Sequence, residues 1–182
     1  MSQTQTIQPG EPDAATRISR MIRVDHAGEY GAERIYAGQL AVLGRSDKGE
    51  LLRHMMAQET HHKEVFSGLI AERRVRPTAL LPLWHLAGFA LGAITAAMGE
   101  RAAMACTVAV EEAIDEHYAA QSASLGEGEG KLRETIDAFR LEELEHRDIA
   151  LANEAELAPA YRVMSRVIKV GCKAAIAASE IL

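Results

Sequence analysis

The chain has 182 residues, a formal net charge of −6 and 48% hydrophobic side chains. This length suits one domain with a continuous core, and the acidic balance argues against a general nucleic-acid-binding protein, which needs a surplus of Lys and Arg to neutralise phosphate. One Trp, four Tyr, three Phe and five Pro, among abundant Ala, Leu, Glu and Arg, favour an all-helical protein over a β-sandwich.

The N-terminal segment is polar and contains two Pro and one Gly. We therefore predict a disordered tail over residues 1–15 and a single domain over residues 16–182. The tail has neither a basic region followed by an apolar run nor the Arg-rich character of a transit peptide, so no targeting peptide is expected.

Apolar residues spaced three, four and seven apart predict two helical hairpins. The first hairpin joins helices over about 16–43 and 49–73 through a short loop with two glycines. The second joins helices over about 100–125 and 131–154 through a Gly-rich loop. A fifth helix is expected to follow, with Pro159 in its first turn.

Glu-x-x-His occurs once in the second helix of each hairpin, as Glu59 with His62 and Glu143 with His146. On a helix, residues three apart lie on one face about one turn apart, so each pair can bind the same metal ion. One such pair would carry little weight. The first helix of each hairpin also places a glutamate on its apolar face, Glu29 in one and Glu111 in the other.

These six side chains would be costly to bury unpaired, and two divalent cations would satisfy them. Oxygen donors with two nitrogens and no thiolate indicate iron or manganese rather than structural zinc. The same ligand set is typical of ferritin-like di-iron carboxylate bundles. The predicted metal ligands are Glu29, Glu59, His62, Glu111, Glu143 and His146.

Neighbouring polar residues are assigned other roles. Glu111 is preferred to Glu112 because the helical face through Glu112 is less apolar, and Glu142 lacks a histidine three residues later. Tyr118 either borders the site or is a core tyrosine. The other acids and histidines are interpreted as surface residues or as residues that support the ligands: Glu33, Glu64, Glu116, Glu145, His26, His61 and His117.

Residues 77–99 contain no formally charged side chain and are long enough for a membrane span. A single span would separate Glu29 from Glu111 and prevent the metal site from forming. We therefore interpret the segment as a crossover between the hairpins. Pro82, Gly88, Gly92 and Gly99 interrupt it and predict one or two broken helices, and its apolar outer face predicts contact with lipid or another subunit.

The fifth helix is amphipathic and basic. Arg162, Arg166, Lys169 and Lys173 share one side of it, opposite an apolar side that includes Ile168. Together with the uncharged crossover, this stripe predicts salt-sensitive, peripheral association with a membrane. A solvated basic face is the alternative.

Five blocks of the sequence resemble the demethoxyubiquinone hydroxylase family, di-iron monooxygenases of ubiquinone biosynthesis. The blocks are RMIRVDHAGEYGAERIYAGQLAVLG (20–44), RVRPTALLPLWHLAGFALGA (74–93), AMACTVAVEEAIDEHY (103–118), LEELEHRDIA (141–150) and AELAPAYRV (155–163). The family's ligands fall on the same six residues that the spacing indicates.

The resemblance implies an all-α, ferritin-like four-helix bundle with a helical crossover and an additional C-terminal amphipathic helix. It further implies two iron ions, O₂ as co-substrate and ring hydroxylation of a polyprenylated demethoxyubiquinol to the demethylubiquinol. The reductant is not specified. The expected partners are this quinol, a membrane surface, and either further copies of the chain or other ubiquinone-biosynthesis proteins. The expected location is the cytoplasmic side of a bacterial cell membrane.

Three other functions fit parts of the pattern. A ferritin-like iron-binding or ferroxidase protein would use the same bundle, but its shell would need polar outer faces. A di-iron hydroxylase acting on tRNA would need a basic face with interleaved aromatic residues, which the stripe lacks. A purely structural bundle would leave six buried ligand-type side chains unexplained.

Overall fold

The computed structural model describes residues 13–182. Residues 1–12, which make up most of the predicted tail, lie outside the described residues. The disorder of that tail and the division into a tail and one domain therefore stay predictions.

Every regular element between residues 13 and 182 is helical, as the sequence predicts. Helix α1 begins two residues before its predicted start because Asp13 caps it, and the Asp13 carboxylate accepts a 2.7 Å hydrogen bond from the backbone N–H of Thr16. The six α-helices are α1 (Ala14–Leu43), α2 (Gly49–Glu72), α3 (Leu81–Ala97), α4 (Glu100–Ser124), α5 (Gly130–Ala152) and α6 (Tyr161–Ile181).

Helices α1, α2, α4 and α5 form a four-helix bundle made of two hairpins, α1–α2 and α4–α5. Helix α3 connects the hairpins and packs mainly along α1. Helix α6 packs against α4 and α1. The structure confirms the predicted ferritin-like architecture, with the crossover and the additional helix beside α1 and α4.

The prediction of broken helices in the crossover is wrong, because α3 is one continuous helix of 17 residues. Its glycines allow close backbone contact with α1. A Cβ atom on Gly92 would lie 1.9 Å from the carbonyl oxygen of Ile35, and one on Gly88 would lie 2.8 Å from that of Gly31. Pro82 lies in the first turn, where its missing N–H costs no helical hydrogen bond. None of the helices in residues 13–182 is both long and apolar enough to cross a bilayer.

The prediction for the start of the last helix is also wrong. Helix α6 begins at Tyr161, and Pro159 lies before it. Ala160, between them, has φ 55° and ψ 30°. This left-handed conformation cannot continue into a right-handed helix, so α6 begins at the next residue.

Two apolar clusters lie at opposite ends of the bundle. One contains Leu52 and Met104, and the other contains Phe66 and Ile136. On each of the four bundle helices, the predicted metal ligands fall in sequence between residues of the two clusters. The fold therefore encloses one polar layer between two apolar layers that exclude water from it.

Candidate metal centre

The structure brings all six predicted residues together in this polar layer, and none exposes more than 1% of its surface. They form two overlapping groups of four, in which one ligand atom from each residue lies within 4.8 Å of the others. The first group is Glu29, Glu59, His62 and Glu143, and the second group is Glu59, Glu111, Glu143 and His146.

The two groups follow the repeat of the hairpins. Glu29 and His62 come from the first hairpin and occur in the first group only, whereas Glu111 and His146 come from the second hairpin and occur in the second group only. The remaining two carboxylates belong to both groups. Each group could therefore hold one cation, which gives a Glu29/His62 position and a Glu111/His146 position that share two carboxylates.

The donor set fits two cations. Among residues 13–182, no hydrogen-bond partner reaches either carboxylate oxygen of Glu59, one oxygen of Glu111 or Nδ1 of His146. Leaving such atoms buried and unpaired costs several kcal/mol. Nδ1 of His146 lies 3.1 Å from Oε1 of Glu59, so one ion could contact both. With both imidazoles neutral, the four positive charges of two divalent cations would also balance the four negative charges of the carboxylates.

The electrostatics of the layer show the same need for positive charge. Burial, reinforced by repulsion from the other carboxylates, raises the pKa of Glu59 and of Glu111 well above 4.5. Burial alone would also raise the pKa of Glu143, but the imidazoles of His146 and His62, whose Nδ1 atoms lie 3.3 Å and 3.1 Å from its carboxylate oxygens, outweigh it and lower that pKa to about 2. Burial alone would lower the pKa of His62, yet hydrogen bonds to Glu143 and Glu29 raise it to about 11.

A tyrosine from each hairpin holds the unshared glutamate of the other hairpin. The hydroxyl of Tyr36 donates a 2.8 Å hydrogen bond to Oε1 of Glu111, and that of Tyr118 donates one to Oε1 of Glu29. Burial and the nearby carboxylates raise the pKa of both hydroxyls well above 10, so both stay protonated donors. Tyr118 thus borders the site. The sequence signal for both contacts is a Tyr seven residues after a ligand Glu.

Sequence reasoning missed two residues that contact the outer nitrogens of the histidines. Nε2 of His62 lies 3.1 Å from Oε2 of Glu142, and Nε2 of His146 lies 3.0 Å from Oε1 of Gln58. Gln58 and Glu142 each stand directly before the Glu of a Glu-x-x-His motif. That repeated position is the signal that could have identified them.

The other polar residues singled out in the sequence lie outside the two groups. Glu64 and Glu145 are exposed, while Glu33 forms an ion pair with Lys63 on α2. Nε2 of His117 lies 3.3 Å from the carboxylate of Asp25, a buried residue that the sequence analysis did not single out.

An apolar cavity of about 430 Å³ lies between α1, α3, α4 and α6. Gly28 and Val110, two of its lining residues, are sequence neighbours of the candidate ligands Glu29 and Glu111. The cavity thus borders the same turns of α1 and α4 that carry Glu29 and Glu111 on another face. It offers an apolar molecule a place beside the polar layer.

Comparison with known proteins supports the resemblance noted in the sequence. The family profile of "Ubiquinone biosynthesis protein COQ7" matches residues 16–179. A 3-demethoxyubiquinol 3-hydroxylase of Rhodospirillum rubrum is 61% identical over 173 residues, which are 94% of this chain and 82% of the relative.

Two mitochondrial relatives are also similar. The NADPH-dependent 3-demethoxyubiquinone 3-hydroxylase of Homo sapiens is 54% identical, with 90% of this chain and 77% of the relative covered. The 5-demethoxyubiquinone hydroxylase of Saccharomyces cerevisiae is 42% identical, with 91% of this chain and 78% of the relative covered. With a profile match across most of its length and relatives of this similarity, the chain belongs to the COQ7 family of ubiquinone biosynthesis proteins.

Proposed function

We propose that this protein is a di-iron monooxygenase that hydroxylates the ring of a polyprenylated demethoxyubiquinol to give the 3-demethylubiquinol. The observation that carries the proposal is the pair of four-residue groups with two shared carboxylates, enclosed between apolar layers and adjacent to an apolar cavity. The names of the relatives specify the reaction and the class of substrate.

We propose iron as the metal and the six residues as its ligands. Carboxylates and imidazoles without thiolate suit iron or manganese. When bound, two ferrous ions would supply electrons to O₂. The reaction places one oxygen atom on the ring carbon and releases the other as water, which requires two electrons and two protons. The human relative is named NADPH-dependent, so NADPH is the first reductant to supply.

The chain's own residues would prepare the site for this chemistry. The hydroxyls of Tyr36 and Tyr118 hold the unshared carboxylates Glu111 and Glu29 in place. The two apolar layers on either side of the polar layer exclude water from it, which strengthens the electrostatic interactions within the polar layer. The apolar cavity would receive the quinol and direct its ring towards the layer.

We also propose that the protein binds a membrane surface through α3 and α6. Leu86 and Ile94 of α3 expose 70% and 60% of their surfaces, and Val163 and Val167 of α6 expose 65% each. These residues lie on two of the helices that line the apolar cavity, and Val167 is itself a lining residue, so a lipid-tailed substrate could pass from the bilayer into the cavity.

The decisive experiment is a single turnover. Protein loaded anaerobically with Fe²⁺ receives a short-chain demethoxyquinol and ¹⁸O₂, and mass spectrometry follows the product. We expect about two irons per chain and one labelled oxygen atom in the hydroxylated ring. Glu111→Ala should lose the reaction. Glu112→Ala is the matched control, because Glu112 pairs with Lys169 outside the two groups and should leave the reaction intact.

The same experiment separates the alternatives. Rapid Fe²⁺ oxidation by O₂ with accumulation of ferric iron, and no labelled product at any quinol concentration, would replace the proposal with a ferroxidase. Product that carries oxygen from water would also overturn the monooxygenase reaction.

A further inference from the structure

A hydrogen-bonded bridge connects the outer nitrogens of the two buried histidines. Nε2 of His62 lies 3.1 Å from Oε2 of Glu142. The same oxygen accepts a 3.0 Å hydrogen bond from the amide nitrogen of Gln58, and the amide oxygen of Gln58 lies 3.0 Å from Nε2 of His146. The side chains of Gln58 and Glu142 thus link His62 to His146 across α2 and α5.

The donors and acceptors along this bridge can be arranged in one way only. An ionised carboxylate only accepts hydrogen bonds, so Gln58 must turn its N–H₂ group to Glu142 and its oxygen to His146. With a metal ion bound, both imidazoles would carry a single proton, on Nε2. Nδ1 of each ring, which faces the carboxylates of the polar layer, would then offer its lone pair to the ion.

The bridge is reciprocal between the two motifs. Gln58 precedes Glu59 in the first motif and contacts the histidine of the second, whereas Glu142 precedes Glu143 in the second motif and contacts the histidine of the first. The two halves differ in charge at this position. His62 is backed by a carboxylate, and His146 is backed by a neutral amide.

We propose that the Gln58–Glu142 bridge fixes both imidazole tautomers and makes the two cation positions unequal, with the Glu29/His62 position the tighter. A carboxylate behind an imidazole makes the ring a stronger donor to a metal ion than a neutral amide does. Gln58 and Glu142 are positioning residues, since they act through the histidines. This inference rests on the proposed metal centre and goes beyond the proposed reaction.

The test measures each position separately with Co²⁺, whose visible absorption reports its coordination. Glu111→Gln leaves the Glu29/His62 position complete, and Glu29→Gln leaves the Glu111/His146 position complete. We expect the dissociation constant in the Glu111→Gln protein to be at least about tenfold lower than in the Glu29→Gln protein. Equal constants would overturn the inference.

Substitutions in the bridge then test its cause. Glu142→Gln is added to the Glu111→Gln protein and to the Glu29→Gln protein. It should raise the Co²⁺ dissociation constant of the Glu29/His62 position roughly 10–100-fold and change that of the Glu111/His146 position by less than about threefold. The double exchange of Gln58→Glu with Glu142→Gln places the carboxylate behind His146 and the neutral amide behind His62. The Glu111/His146 position should then bind Co²⁺ more tightly than the Glu29/His62 position. A merely structural role would not reverse the order.

Glu145→Gln is the matched control, since it removes the same charge from an exposed position on α5. It should leave both constants unchanged. An equal loss at both positions in the Glu142→Gln proteins, or an unreversed order in the double exchange, would refute the inference while leaving the proposed hydroxylation standing. Failure of the wild-type protein to bind any cation would overturn the metal centre and the inference together.

Discussion

Glu59 and Glu143 come from different hairpins, yet each lies in both groups of candidate ligands. The bundle therefore joins its two candidate cation positions through two shared carboxylates, while Glu29 and Glu111 each belong to one group only. Loss of a shared carboxylate and loss of an unshared one should have different consequences.

The first prediction follows from this difference. At an Fe²⁺ concentration that loads the wild-type protein with about two ions, Glu111→Gln should retain about one, and Glu59→Gln should retain well below one. The physical reason is that Glu59 contributes to both positions. Anaerobic loading followed by elemental analysis gives the counts. Identical iron content in the two variants would contradict the shared role of Glu59.

The second prediction concerns pH. In the metal-free protein, burial raises the pKa of Glu59, Glu111 and Glu29 above 4.5. A raised folded-state pKa means that protonation stabilises the fold, and this contribution is complete below about pH 4.5 and is lost as the pH rises through the raised values. The pKa of about 11 for His62 acts in the same direction.

Metal ions would replace these protons. The increase in melting temperature on adding Mn²⁺ should therefore be larger at about pH 8 than at about pH 6. Differential scanning calorimetry with and without Mn²⁺ measures it. A metal-induced increase that is smaller at the higher pH would show that the buried carboxylates and His62 do not exchange protons for cations.

The third prediction tests the reciprocal tyrosines. Tyr36→Phe removes the hydrogen bond to Glu111, and Tyr118→Phe removes the one to Glu29. Removing the hydroxyl leaves a buried carboxyl oxygen without its partner, which costs about 1–3 kcal/mol, so both variants should lose a similar free energy of unfolding. Tyr30→Phe is the control, because its hydroxyl bonds His85 at the surface and should matter less. Urea denaturation gives the values, and a loss confined to one of the two buried tyrosines would contradict their equivalence.

The fourth prediction concerns the contact between α1 and α3. In Gly92→Ala the new methyl group would clash with the backbone oxygen of Ile35, and overpacking of this kind costs about 1–3 kcal/mol. Gly68→Ala on α2 is the matched control, because its new methyl group meets no described atom outside its own stretch of helix within 4 Å, and Ala favours a helix by up to about 1 kcal/mol. Thermal unfolding should give a lower melting temperature for Gly92→Ala and a higher one for Gly68→Ala than for the wild-type protein. Equal effects would mean that α3 does not pack as closely as described.

The fifth prediction concerns membrane binding. Lys169 and Lys173 pair with Glu112 and Glu116 of α4, so they have less positive charge to offer a membrane than Arg162 and Arg166. Replacing both arginines with Gln should weaken binding to anionic vesicles by about 2 kcal/mol, roughly 30-fold.

Replacing the two lysines with Gln should weaken vesicle binding less. Co-sedimentation at low and high salt measures both pairs. Recovery of all wild-type protein in the supernatant at low salt would contradict the proposed membrane surface.

The helices and the inward position of the six candidate ligands could be predicted because both depend on geometry within one helix. Spacings of three, four and seven residues place side chains on one face whatever the helix packs against. The Glu-x-x-His motifs, with Glu29 and Glu111 on the apolar faces of the preceding helices, therefore indicated one inward-facing set before any tertiary contact was known.

Contacts between residues far apart in the chain depend on how the helices rotate and slide against one another, which spacing within a helix does not specify. Tyr36 forms a hydrogen bond with Glu111, which lies 75 residues away in the sequence, and Gln58 contacts His146, which lies 88 residues away. For the same reason the sequence alone does not indicate the role of the glycines of α3. In the sequence Gly92 is a helix breaker, whereas in the structure it faces the backbone of α1, where the absence of a side chain permits contact. The sequence by itself determined which residues face inward along each helix, and only the tertiary packing decided which of them meet.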